Sequence, residues 1–216
     1  ALLAGAPPNS VALAEHLNRR YDLSHLNKVA TRQRTLETLT YLAWLDEMAA
    51  AEPTLFQRAF QVETLSWLDV GAKNWTYVEA LVAFIRAQSS VAFRLDGVEL
   101  DPNRRYTDFR TRRQYAEHYS QPFPQAQYHG GDILAWRQPA RVISHFLPFV
   151  FPEPLLAWGL PDAYFQPQAL LEHVLSLLEP RGVLIVVNQG EDEAEAQEAL
   201  LGAARQRFNI QWRSLG

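Results

Sequence analysis

The stretch Ser66-Trp67-Leu68-Asp69-Val70-Gly71-Ala72-Lys73-Asn74-Trp75 decides the reading of this chain. A short apolar run breaks at a glycine and passes into a segment where Val78, Leu81, Val82 and Ile85 stand at i, i+3, i+4 and i+7. The first pattern is that of a strand buried on both faces; the second is that of a helix laying one stripe on a sheet. Downstream, the same alternation repeats. Apolar runs at 66–70, 94–100, 126–129, 141–146, 183–188 and 208–213 predict strands. Leu171, Val174, Leu175 and Leu178 form a second helical stripe, which Pro180 and Gly182 are expected to end. The acidic run 191–195 opens a further helix, where carboxylates suit the positive end of the dipole. Alternating strands and helices joined by right-handed crossovers predict an α/β fold, doubly wound, with a mainly parallel sheet in the order 3-2-1-4-5-6.

Upstream of the quoted stretch the pattern is helical, so residues 1–60 are expected to form an N-terminal helical extension and 61–216 the sheet domain. Asn9 or Ser10 would cap a helix through Tyr21. A second helix, from Thr31 to about Ala50, has Leu36, Leu39, Leu42 and Ala43 near one face. Tyr41, Trp44, Leu45 and Met48 make it apolar nearly all round, which predicts burial on two sides.

Composition narrows the chemistry. The chain has 216 residues, is 48% hydrophobic and carries a formal charge of -4, enough for a sizeable core and contrary to disorder. With no cysteine, disulfides, thiolate metal sites and cysteine nucleophiles are excluded, and the expected compartment is the cytoplasm. The six histidines contain no pair at the spacing that puts two ligands on one helix face, so no metal site is expected. The most apolar stretch, 143–160, carries Pro148, Pro152, Pro154, His145 and Glu153, which excludes a bilayer span. The first residues, ALLAGAPPNS, lack the basic flank of a secretory signal, and the chain opens without Met, as a trimmed or incomplete chain does.

In an open parallel sheet, ligands collect at the carboxyl ends of the strands, where the strand order switches direction. Here those ends are polar. The first gives Asp69, Gly71, Ala72 and Lys73; glycine admits close approach of backbone to a ligand. At the second, Glu99, followed by Leu100 and Asp101, offers a carboxylate to a ribose diol. The third, Gly130-Gly131-Asp132-Ile133, presents a carboxylate and an apolar side chain to a purine. Together they describe an adenosine site. The loop GAKNWT has one glycine where a pyrophosphate fingerprint needs three, and no phosphate-binding P-loop is present, so a ligand without phosphates fits best and a nicotinamide oxidoreductase fits poorly.

At these residues the sequence resembles the class I S-adenosylmethionine-dependent methyltransferases. The matching segments are Leu68-Asp69-Val70-Gly71, Gly97-Val98-Glu99-Leu100-Asp101-Pro102, Gly131-Asp132-Ile133-Leu134 and the run 177–184 leading into the fifth strand. The resemblance covers about residues 64–214 and implies that Asp69 and the backbone around Gly71 meet the methionine portion. It also implies that Glu99 binds the ribose and that Asp132 faces the adenine amino group beside Ile133. Three departures stand out. Lys73 and Trp75 occupy the positions of the family's later glycines, Asp69 to Glu99 is a long spacing, and the family's antiparallel seventh strand is not seen after 208–213.

The reaction implied is methyl transfer from S-adenosylmethionine to a small or medium-sized acceptor. The alternative is a non-catalytic protein that binds S-adenosylmethionine or regulates through the same fold. His145 is the candidate general base, and Phe149, Asn188 and Gln189 are candidate substrate contacts beside the methyl group. Trp158, Phe149, Phe151 and Tyr164 could roof an apolar acceptor pocket. Arg104, Arg105, Arg110, Arg112 and Arg113 read as a solvated helix face; an acidic chain with few aromatic residues among those arginines argues for a small-molecule partner over a nucleic acid.

Overall fold

The computed structural model describes residues 8–215. Four helices come first: α1 (Pro8–Arg20), α2 (Leu26–Val29), α3 (Arg32–Ala51) and α4 (Pro53–Ala59). The remainder alternates β1 (Thr64–Val70), α5 (Val78–Gln88), β2 (Ala92–Glu99), α6 (Arg112–Ser120), β3 (Ala126–Gly130) and β4 (Ala140–Phe146). It ends with α7 (Pro152–Ala157), α8 (Pro167–Leu177), β5 (Leu178–Val187) and α9 (Glu191–Ala204). The strands form one sheet in the order β3-β2-β1-β4-β5, every neighbouring pair parallel. This is the doubly wound α/β architecture, with its reversal of strand order between β1 and β4.

Period-two alternation in β1 sends Leu65, Trp67 and Asp69 to one face and Leu68 and Val70 to the other. The first face packs against α3, α4 and α5, where the whole stripe Val78, Leu81, Val82 and Ile85 is buried. The second face is covered by α8 through Val174 and Leu177. The N-terminal helices are tied to α5 by a buried ion pair, Arg34 to Glu79 at 3.5 Å, while the Leu26 amide donates to the other Glu79 oxygen at 2.8 Å. Thr31 caps α3 by accepting from the Arg34 amide at 3.3 Å. Leu36 departs from the expected face and is exposed, and α1 begins at Pro8, placing Asn9 and Ser10 within its first turn.

The expected sixth strand at 208–213 does not form. Phe208 and Ile210 instead close the gap beside Leu171, Leu175 and Ala204, so apolar residues read as strand serve as a clasp between α8 and α9. The expected helix stop at Pro180 and Gly182 also moves: α8 ends at Leu177, and both residues belong to β5. There the register breaks: Ala140 pairs with Leu178 and Val142 with Val183, so Arg141 alone stands against 179–182. Gly182 is required in this bulge, since an added Cβ would lie 2.8 Å from the Glu179 carbonyl oxygen. The arginine cluster is not a helix face either. Only Arg112 and Arg113 lie on α6, the others sitting in the preceding loop.

Candidate functional site

A cavity of about 280 Å³ opens at the carboxyl ends of the strands, across the point where the sheet order reverses. Gly71, Lys73, Glu99, Asp132 and Ile133 form one half of its wall. Phe149, Val150, Leu155 and Trp158, from the segment between β4 and α8, face them together with Glu193, Gln197 and Leu200 of α9.

The loop after β1 keeps a glycine-like backbone without the glycines. Gly71 has φ 74°, and Lys73 and Trp75 follow at φ 54° and 51°. A side chain in this left-handed region costs about 1–2 kcal/mol, so each needs fixed partners. The Lys73 amide donates to Glu99 Oε2 at 2.8 Å, and Tyr128 donates its hydroxyl to the Lys73 carbonyl at 2.7 Å. The Trp75 ring is fully buried and lies over Gly97, where an added Cβ would come within 2.7 Å of it. Gly97 thus makes room for the indole, a pairing that no local sequence pattern reveals.

Asp69 does not line the cavity. Strand alternation turns it toward the α3 and α5 side, where it accepts from Trp75 Nε1 and the Tyr77 hydroxyl at 2.9 Å and from the Ser144 hydroxyl at 2.6 Å. Ser144 in turn accepts from Trp67 Nε1 at 2.9 Å. The Asp69 side chain is thus held in a buried network that ties β1 and β4 to the loop before α5, away from the cavity wall. Burial without a cation pushes the Asp69 carboxyl from 3.8 up to about 7, against the three donors that favour its charged form.

That shift has a signed consequence. Between pH 3.8 and about 7 the folded chain holds a proton that the unfolded chain has lost, so the Asp69 contribution to stability falls as pH rises. His145 acts oppositely over pH 4 to 6.5, because its folded pKa is lowered. Comparison with Asp69→Asn cancels His145. Relative to that variant, wild type should lose about 1 kcal/mol between about pH 6 and pH 8 in denaturant titrations. Parallel profiles for the two proteins would contradict this.

Glu99 sits on the cavity wall but is already partnered. Oε1 accepts from the Asp101 amide at 2.9 Å and from Arg112 Nη1 at 2.6 Å, and both side chains of the ion pair are almost fully buried. Oε2 takes only the Lys73 amide, which leaves it the capacity to accept one ribose hydroxyl. The Arg112 guanidinium lies 5.0 Å from the Trp158 ring centre; Arg104 at 6.0 Å and Lys73 Nζ at 5.4 Å complete a cationic surround for that indole. Arg104 also donates to the Trp158 carbonyl.

Of the residues singled out in the sequence, Gly71, Lys73, Glu99, Leu100, Asp132, Ile133, His145, Phe149 and Gln189 line this one cavity. Ala72 is buried, outside the cavity lining, and its amide donates to the Val98 carbonyl. Asn188 lies off the wall, its side-chain nitrogen buried without a hydrogen-bond partner. Asp132 caps the short turn that follows it, accepting from the Leu134 amide at 2.9 Å. The packing round His145 withholds solvation from a protonated ring and lowers its pKa from 6.5 to about 4. At neutral pH the lowered pKa leaves the His145 ring uncharged on the cavity wall. Phe151 is not among the wall residues, whereas Trp158 and Tyr164 are. Sequence reading gave no pocket role to Arg112, Glu193 or Gln197; the (i, i+4) spacing of the last two on α9 was the available signal. Among the described residues no group of histidines and carboxylates could hold a metal, and no helix is long and apolar enough to cross a membrane.

No family model matches the chain, and no curated protein matches it. Among solved structures it resembles an amino pentose methyltransferase from Micromonospora echinaspora involved in calicheamicin biosynthesis, solved with S-adenosylmethionine bound. The two are 19% identical with a TM-score of 0.43, over 68% of this chain and 51% of that one. It also resembles precorrin-6y C5,15-methyltransferase from Geobacter metallireducens, at 9% identity and TM-score 0.44 over 70% of this chain and 68% of that one. A third is TrmN from Thermus thermophilus, at 18% identity and TM-score 0.44 over 70% and 39%. The chain spans about half the length of the first of these. At such identities a shared architecture is compatible with unrelated chemistry.

Proposed function

We propose that this chain binds S-adenosylmethionine in the cavity and transfers its methyl group to a small acceptor. The observation that carries the reading is the convergence of Gly71, Glu99 and the Asp132-Ile133 pair on one wall, at the reversal of strand order. The adenosyl half fits these residues. An added Cβ at Gly71 or Gly131 would meet nothing within 4 Å, which leaves room for a ligand against backbone, and Glu99 Oε2 keeps an accepting lone pair. The amino-acid end fits differently from the family pattern, because Asp69 is turned away and the Lys73 side chain stands in the loop.

When bound, the cofactor would supply a methyl group already activated on a sulfonium, so the task left to the protein is alignment in a dry site. Glu99 would orient the ribose and Ile133 would cover the base. Phe149, Leu155 and Trp158 would exclude water from the reacting centre.

A binding protein without transfer activity is the second reading. It is favoured by the loop after β1, where Lys73 and Trp75 stand in place of the family's later glycines.

Calorimetry with S-adenosylhomocysteine and with NAD tests the first step common to both readings. The sulfur ligand should bind the more tightly, and at 100 times its Kd it should stabilise the fold by about 2.7 kcal/mol. Clear NAD binding with none of the sulfur ligand would overturn the assignment.

A further inference from the structure

We infer that the acceptor half of this cavity takes an amine carried on an apolar body, with Glu193 as the residue that recognises its nitrogen. This rests on the S-adenosylmethionine reading above. The wall beyond the strand ends is built from Phe149, Val150, Leu155, Leu160, Phe165 and Leu171, which suits a hydrocarbon or aromatic skeleton. Against it α9 sets Glu193 and Gln197 one turn apart on the same face, both on the cavity wall.

Glu193 is the carboxylate of that half, and among the described residues it has no cationic partner. Its Oε2 accepts from the Gln189 amide at 2.7 Å, leaving Oε1 for a ligand. The cations on the wall have other partners: Lys73 and Arg112 both stand by the Trp158 ring, and Arg112 is paired with Glu99. A carboxylate without a counter-ion at the edge of an apolar chamber selects a cation or a strong donor over an anion.

The chemistry agrees with the charge. An alcohol or carbon acid must lose a proton as it attacks, and His145 is a poor proton acceptor. A neutral amine needs no base: its nitrogen lone pair forms the N–C bond, the C–S bond breaks with its electron pair remaining on sulfur, and the positive charge passes from sulfur to nitrogen. The incoming ammonium gives up its proton to water, and the neutral amine in equilibrium with it is the form that attacks. Glu193 then faces the ammonium that results.

The test measures binding, so that it does not depend on turnover of an arbitrary probe. On protein saturated with S-adenosylhomocysteine, 2-phenylethylamine, 2-phenylethanol and phenylacetate are titrated by calorimetry at neutral pH. The amine should bind about tenfold more tightly than the alcohol, and phenylacetate most weakly. Glu193→Gln, which keeps an oxygen for the Gln189 amide, should abolish the amine preference and leave S-adenosylhomocysteine affinity unchanged. Equal affinity for amine and alcohol, or a preference that survives Glu193→Gln, overturns the amine assignment alone. Failure of S-adenosylhomocysteine to bind removes the cofactor reading and this assignment with it.

Discussion

Arg112→Met is expected to lower stability by about 3–5 kcal/mol, the range for removing one partner of a buried ion pair. The loss comes mainly from what is left behind. Glu99 would keep its two amide donors but lose the cation paired with it, in a site where both side chains are almost fully buried. The diagnostic comparison is the double variant Arg112→Met/Glu99→Gln, in which the uncompensated charge is gone. It should recover at least half of the loss in urea titrations, because a neutral amide still accepts from the Lys73 and Asp101 amides. A double variant no better than the single would mean that Arg112 acts by packing under Trp158, from which its guanidinium lies 5.0 Å. Cofactor affinity adds a second readout: if Arg112 competes with a ribose for Glu99, the single variant should bind S-adenosylhomocysteine no more weakly than wild type.

Arg141→Met should cost about 3 kcal/mol, and far from the cavity. This side chain is 8% exposed and has no carboxylate partner among the described residues. Its donors go to carbonyls: Nε to Ala59 at 3.1 Å, Nη2 to Arg58 at 2.9 Å and Nη1 to Pro180. The first two are orphan acceptors at the end of α4, the third belongs to the bulge of β5, and one planar fork serves them all. Removing it leaves several buried acceptors unsatisfied, each worth about 1–3 kcal/mol before water re-enters. Arg141→Lys should recover only a minor part, since a single ammonium cannot reach carbonyls in divergent directions. Equal stability of the Lys variant and wild type, measured by urea midpoint, would refute the role assigned to the fork. S-adenosylhomocysteine affinity should be unchanged in both.

The sequence was most legible where burial is two-sided and local pattern agrees with global fold. The runs at 66–70 and 141–146, and the stripe Val78 to Ile85, lie where alternation and helical period put them, and the strand order follows from right-handed crossovers. It was least legible where one residue answers to a distant one. Nothing local to Phe208 and Ile210 tells that they meet Leu171 and Leu175 instead of a sheet edge. Asp69 was legible as a residue at a strand end but not as one facing inward, because its direction depends on Trp75, Tyr77 and Ser144 closing over it. Lys73 and Trp75 show the same limit from another side. Their residue types argue against a left-handed turn, and the backbone adopts it because Glu99, Tyr128 and Gly97 supply the compensating contacts.

The break in register at Arg141 also bears on self-association. β5 is one of the two edge strands of the sheet, and the row of amides and carbonyls on its far side is a template onto which another chain could add. Within 179–182 that template is interrupted: Pro180 has no amide hydrogen to offer, and Arg181, at φ 63°, turns the backbone out of the extended line. Only 183–187 remains continuous, and it is the apolar part, Val-Leu-Ile-Val-Val. The bulge that fastens α4 to the sheet therefore also halves the length of the β5 edge available for templated aggregation, confining that edge's hazard to one short segment during refolding at high protein concentration.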